Sequence, residues 1–376
     1  MKRGKTAISC IRVLILFLLS GSAGGVSYAG TNEDIVGRDT LTICVLGDFM
    51  MHSGQISNAA TDDSSHDFSP CLRYVSDIIS SADIAIANME FTLAGEPYSG
   101  YPQFSAPDSY AECIAEAGVD VFLAANNHIF DKGAEGAERT LKQYAGLEDK
   151  YGIRYTGLAA DEADREATTP LILTSKGVSI AIVNMTYGTN LGSGDHWPKT
   201  NYEGQRSLIS SALKKASTAD FTLALPHWGE EYVLEHCRKQ EEYALWLAEN
   251  GADMIIGTHP HVVQDTQIID CQGGRQVHVA YSLGNALSNM SAANTQLGLI
   301  AWIRIIKEES GLITVLPPEF DYIWCSRPGG FNDRYTILPV KDFLGREDLW
   351  KGRFDYDKMV RTLQRVSETT GIKDKP

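Results

Sequence analysis

The sequence has no Cys-x-x-Cys pair, although it contains seven cysteines. Six of them (44, 71, 113, 237, 271 and 325) are scattered singly beyond the first segment, which speaks against a thiolate zinc site. Nor is there a Gly-x-x-x-x-Gly-Lys-Ser/Thr loop, so the chain cannot be read as an ATP-using ligase. Basic residues are scarce: 33 Lys and Arg stand against 48 Asp and Glu, a formal charge of −15. Setting aside Lys2, Arg3, Lys5 and Arg12 of the leader leaves 29 against 48, or −19. Such a surface excludes nucleic acid as an expected partner. It also repels anionic substrates unless a bound cation reverses the sign locally. Internal repeats, low-complexity tracts and a second long apolar run are all missing.

The one apolar run, Val13 to Leu19, follows the basic start and precedes small residues ending in Ser27-Tyr28-Ala29. It falls short of the roughly 20 residues a membrane span needs. Residues 1–29 therefore read as a secretory signal peptide, with a retained N-terminal anchor as the alternative. No lipobox follows the run, because Cys10 precedes it. The expected location is exported: periplasmic, envelope-associated or extracellular. Residues 30–40 read as a linker, 41–345 as one domain and 346–376 as a helical tail. At 43% hydrophobic content that domain can bury a sizeable core.

Within the domain, short apolar runs alternate with helical patterns. Strands are expected at 41–46, 84–87, 119–123, 221–225 and 253–256. Helices are expected from Ser69-Pro70 through Ile79 and near 109–117, 134–144, 203–217, 239–250 and 355–369. Lys176-Gly177 marks a hairpin between two runs, and strands dominate from 297 to 340. This is an α/β (α+β) pattern with antiparallel elements appended.

Polar motifs recur where the apolar strands end, the edge at which open α/β sheets bind ligands. They are Gly47-Asp48-Phe-Met-Met-His52, Asn88-Met-Glu90, Asn126-Asn-His128-Ile-Phe-Asp131, Pro226-His227-Trp-Gly-Glu-Glu231, Gly257-Thr-His259-Pro-His261 and Tyr281-Ser-Leu-Gly-Asn285. Five of the nine histidines fall inside them. Each motif alone also fits a turn, a strand cap or a satisfied loop pair. By spacing, His259 and His261 are either metal ligands or two polar residues in a turn, and alternation would put both rings on one side of an extended segment. Their joint occurrence favours a carboxylate, amide and imidazole set of the kind that holds Mn, Zn or Fe.

Taken together, NNHIFDKG, HWGEEY, GTHPHVVQ and YSLGN resemble the bacterial CapA family of poly-γ-glutamate capsule synthesis proteins, whose fold is similar to calcineurin-like metallophosphoesterases. The resemblance covers roughly residues 41–290. It implies a four-layer sandwich, two mixed β-sheets flanked by helices, with two divalent metal ions at the sheet edge. Carried over by position, Asp48 and His261 would serve one metal, Asn127, His227 and His259 the other, and Glu90 would bridge. His128 would be the general acid and Asp131 its orienting partner, while Glu231 and Asn285 would face substrate. Two departures stand out: Met50 occupies the place of the usual first-motif histidine, with His52 two residues on either reaching in or, as the preferred reading, surface decoration, and Glu90 replaces an aspartate. A weakened first metal position is therefore expected. Two functions follow, a metal-dependent hydrolase of a phosphoester or a related bond, or a non-catalytic component of a machine that makes or exports an anionic polymer. Membrane-bound synthesis and export proteins are the implied partners.

Overall fold

The computed structural model describes residues 27–28, 40–192 and 194–375. The expected leader and linker lie outside the described residues, apart from Thr40 and from Ser27–Tyr28, which pair in parallel with Thr314 and Val315.

The first half of the chain builds four parallel strands, β1 (Thr40–Phe49), β2 (Ile84–Met89), β3 (Val121–Leu123) and β4 (Arg154–Thr156). They are hydrogen-bonded in that order. Helices α1 (Asp108–Glu116) and α2 (Gly133–Tyr151) accompany them. A second sheet follows from β5 (Leu171–Ser175), β6 (Val178–Thr186), β7 (Phe221–His227), β8 (Met254–Ile256), β9 (Thr266–Asp270) and β10 (Gln276–Ala280). Its order is β9-β10-β8-β7-β6-β5, parallel from β6 through β10 with antiparallel edges. Helices α3 (Arg206–Ala216) and α4 (Arg238–Glu249) belong to this half. The chain then returns to the first sheet through β11 (Asn285–Leu287), β12 (Leu297–Lys307), β13 (Ile313–Val315), β14 (Glu319–Ser326) and β15 (Thr336–Pro339).

Three apolar layers hold this together. Cys44, Leu46, Ala85 and Ala87 face Tyr110, Ile114 and Leu141 of α1 and α2. Their neighbours Ile43, Val45, Ile84 and Ile86 face Ile180, Ile182, Leu223 and Leu225 across the space between the sheets. On the far side, Ala181, Val183 and Ala224 pack against Ile209, Leu213, Tyr243 and Leu247 of α3 and α4. Helices, sheet, sheet and helices make the expected four-layer sandwich of two mixed sheets. Burial on both faces explains why β1 reads as a continuous apolar run rather than an alternation.

Some local expectations differ. The helix expected from Ser69 to Ile79 is two short pieces, Ser69–Leu72 and Ser76–Ser80, and the Asp67 carboxylate accepts from Ser69 N at 3.0 Å. Helix α2 runs seven residues past the expected Tyr144 and ends at Gly152, whose φ of 74° suits a left-handed cap. The terminal helix α5 (Arg353–Thr370) buries Met359 and Val366 in the layer between the sheets. The six cysteines among the described residues are free thiols. No helix among the described residues is long and apolar enough to cross a membrane.

Candidate metal centre

The C-terminal ends of β1, β2, β3, β7 and β8 converge on one buried polar cluster. Asp48, near the end of β1, is fully buried and its N–H donates to the Gly284 carbonyl at 3.0 Å. The preceding residue has to be glycine, because a Cβ at position 47 would lie 1.9 Å from that same carbonyl oxygen. The Asp48 carboxylate accepts from Asn88 Nδ2 at 2.7 Å and from the His259 N–H at 3.2 Å.

Glu90 follows β2, anchored by its N–H to the Phe49 carbonyl at 3.0 Å. It is fully buried, and neither carboxylate oxygen has a hydrogen-bond partner. Burial first, then the nearby Asp48 carboxylate, push its carboxyl well above the ordinary range. A buried carboxylate without donors costs several kcal/mol unless a cation compensates it. Around Oε1 stand three imidazole nitrogens, His261 Nε2 at 3.7 Å, His227 Nε2 at 3.8 Å and His128 Nε2 at 3.9 Å.

Two of the imidazoles, His227 and His259, are presented as neutral rings. His227 Nδ1 lies 2.9 Å from Thr258 Oγ1, and its Nε2 lies 2.9 Å from Asn127 Oδ1. His259 keeps a buried Nδ1 without a partner. Burial, followed by the neighbouring rings, holds both His227 and His259 well below the usual histidine range, leaving lone pairs for a cation. Two groups of donor atoms result, Asp48 with Glu90 and His261, and Glu90 with His227 and His259. They share Glu90. The orphaned oxygens and the mixed oxygen and nitrogen donors fit a pair of divalent cations.

Three placements differ from the sequence reading. His259 and His261 do not sit on an extended segment, since their φ angles are 100° and 58° on either side of Pro260. Left-handed backbone on a non-glycine residue is strained, by about 1–3 kcal/mol each. Around Glu90 it sends the two rings to different donor groups, with centroids 5.8 Å apart. Asn285 is buried beside His261 rather than in the cavity lining, with Oδ1 at 3.0 Å from His261 Nδ1 and Nδ2 donating to the Thr295 carbonyl at 3.0 Å. The parallel pairing of β11 with β1 sets it opposite Asp48. His52 is not surface decoration either. Its ring lies 3.1 Å from Gln55 Oε1 and lines the cavity, and burial lowers it to about 4.

In front of the cluster opens a cavity of about 600 Å³, lined in part by Met50, Asn127, His128, Asp131, Glu231 and His261. Met50, two residues after Asp48, is buried and lines this cavity. His128 Nδ1 lies 2.7 Å from Asp131 Oδ2, which also accepts the Phe104 N–H at 2.8 Å. The Phe104 ring meets His128 edge-on at 4.5 Å. Glu231 is exposed, yet its carboxylate falls in a third donor group with His259 and His261.

A family model for the bacterial capsule synthesis protein PGA_cap matches residues 42–290. The chain belongs to that family. Every donor described above, from Asp48 to Asn285, lies inside the PGA_cap match. Two capsule proteins are similar to it in sequence. The capsule biosynthesis protein CapA of Bacillus anthracis is 26% identical over 294 residues, 74% of this chain and 67% of that protein. The PGA biosynthesis protein CapA of Bacillus subtilis (strain 168) is 23% identical over 320 residues, 83% of this chain and 79% of that one. Among solved structures, the NAD nucleotidase NadN of Haemophilus influenzae is similar with a TM-score of 0.47 and 13% identity, covering 90% of this chain and 65% of that chain.

Sequence reasoning missed Asn88 as the partner of Asp48, Thr258 as the partner of His227, and Tyr187, whose ring packs on His259 at 4.5 Å. Asn88 and Thr258 do stand inside the strand-end motifs, which was the available signal.

Proposed function

We propose that this PGA_cap protein is an exported, metal-dependent hydrolase of the cell envelope, acting on a phosphoester or a related bond of an anionic surface polymer or its carrier. The observation that carries this reading is the fully buried Glu90 carboxylate, unpartnered and shared between two donor groups. Asp48 and His261 would hold one divalent ion, Asn127, His227 and His259 the second, and Glu90 would bridge them. Mn, Zn or Fe at such a centre supplies Lewis acidity and a nucleophile at neutral pH.

The chain's own contribution is positional. Asp131, fixed by the Phe104 N–H, orients His128 through Nδ1, so that Nε2 is directed to the Glu90 side of the cavity. This geometry supports reading His128 Nε2 as the proton donor for a leaving oxygen. The neighbouring Phe104 ring limits water on that side of the imidazole.

A second reading, a non-catalytic component of a polymer synthesis or export machine working with membrane-bound partners, is favoured by Met50 in place of a first-motif ligand. The deciding experiment measures hydrolysis of nitrophenyl phosphomonoesters and diesters by the Mn-loaded mature protein. His128→Ala is expected to lower turnover by about 10²–10⁴-fold with metal content unchanged. Wild-type turnover no higher than that of His128→Ala would remove the hydrolase reading and leave the second.

A further inference from the structure

Apart from the charge a bound metal would supply, the cavity wall is short of positive groups. Among the described residues none that lines it is Lys or Arg, and the carboxylates in the lining are Asp131 and Glu231. Asp131 is committed to His128 at 2.7 Å. Glu231 stands at the entrance, its carboxylate accepting from the neighbouring Tyr232 hydroxyl and one of its oxygens within 4.8 Å of a ring nitrogen of each of His259 and His261. Its neighbour Tyr232 is pinned there, with φ of 69° and its N–H donating to the Pro260 carbonyl at 2.8 Å. The Tyr232 ring lies 6.2 Å from that of His261. Tyr101, another large exposed aromatic, lines the same cavity.

We propose that Glu231, flanked by Tyr232 and Tyr101, is a cation subsite that selects substrates carrying an ammonium group a few bonds from the oxyanion held at the centre. This rests on the reading of the centre as an oxyanion site. A carboxylate in a cavity that also holds two tyrosine rings attracts an ammonium by charge, and a ring face it reaches adds its quadrupole. The same carboxylate repels a second anion at that position, which gives discrimination as well as affinity. The interior of a polyanion, with one carboxylate after another, is thereby disfavoured against an end that bears an amine.

The test uses three phosphonates of nearly equal size, which have no ester to hydrolyse: aminoethylphosphonate, propylphosphonate and carboxyethylphosphonate. Their binding to the Mn-loaded mature protein is measured by calorimetry. The amine is expected to bind about tenfold tighter than the propyl compound, and the carboxylate compound weakest. Glu231→Gln should erase the ranking while keeping wild-type metal content, and Tyr101→Leu, at an exposed position, should narrow it. Equal binding of the three, binding of none at millimolar concentration, or a ranking that survives Glu231→Gln would overturn the proposal. So would loss of metal from Glu231→Gln, which would make Glu231 a ligand. Because binding is read without turnover, a ranking seen in a protein that hydrolyses nothing would sustain the subsite and contradict only the hydrolase reading.

Discussion

The Nδ1 atom of His261 lies 3.0 Å from Oδ1 of Asn285, which leaves Nε2 directed at Glu90, 3.7 Å away. A buried amide oxygen thus accepts the Nδ1 proton and fixes which nitrogen of the ring is free for a cation. Outer partners of this kind typically contribute 10–100-fold to metal affinity. Asn285→Ala is expected to weaken Mn binding by about that factor, while Asn285→Asp, which keeps the acceptor, should lose less. Calorimetric titration of the metal-free variants checks this.

The Asp48 carboxylate is placed by a close approach of two backbones at Gly47. A methyl group there would stand 1.9 Å from the Gly284 carbonyl oxygen, and no side-chain movement relieves a clash with backbone. Gly47→Ala should therefore cost about 1–3 kcal/mol or more in denaturant unfolding. It should also weaken metal binding, because β1 and β11 have to part where they present Asp48 and Asn285. A variant with wild-type stability would contradict the packing described for these strands.

Glu90 gives a pH dependence with a definite sign. The unfolded chain ionises this group near 4.5, whereas burial and the Asp48 charge make the folded, metal-free protein hold the proton to higher pH. A raised carboxyl pKa means that folding stability declines as pH climbs from the unfolded value through the folded one. Glu90→Gln removes that decline. In thermal unfolding of metal-free proteins between about pH 4 and pH 8, the variant should gain on the wild type as pH rises, and the two should converge near 4.5.

Strand positions and the sheet edge were legible because β1, β2 and β7 are buried on both faces, so that runs such as Leu41–Leu46 stay apolar until the chain reaches the polar cluster. Asn127, His128 and His227 could be read in the same way, as polar residues closing such runs. What could not be read depends on contacts remote in sequence. The role of Asn285 follows from the pairing of β11 against β1, and nothing near position 285 announces that Asp48 will be its neighbour. The division of His259 and His261 between two metals came only with the family resemblance; the backbone that achieves it, two left-handed residues around a proline, was not readable, since alternation of an extended segment is the simpler expectation. The break in the helix expected at 69–79 lies between Leu72 and Ser76, inside a stretch whose apolar spacing continues unbroken.

The central claim is that two donor groups share one carboxylate, and metal stoichiometry tests it most directly. Equilibrium dialysis of the mature protein against Mn, with elemental quantification, should give about two ions per chain, as a shared bridging carboxylate implies. Glu90→Gln should lose both together, with the fold intact by circular dichroism. Wild-type protein that binds no divalent metal, or Glu90→Gln that retains the full wild-type content, would contradict the account.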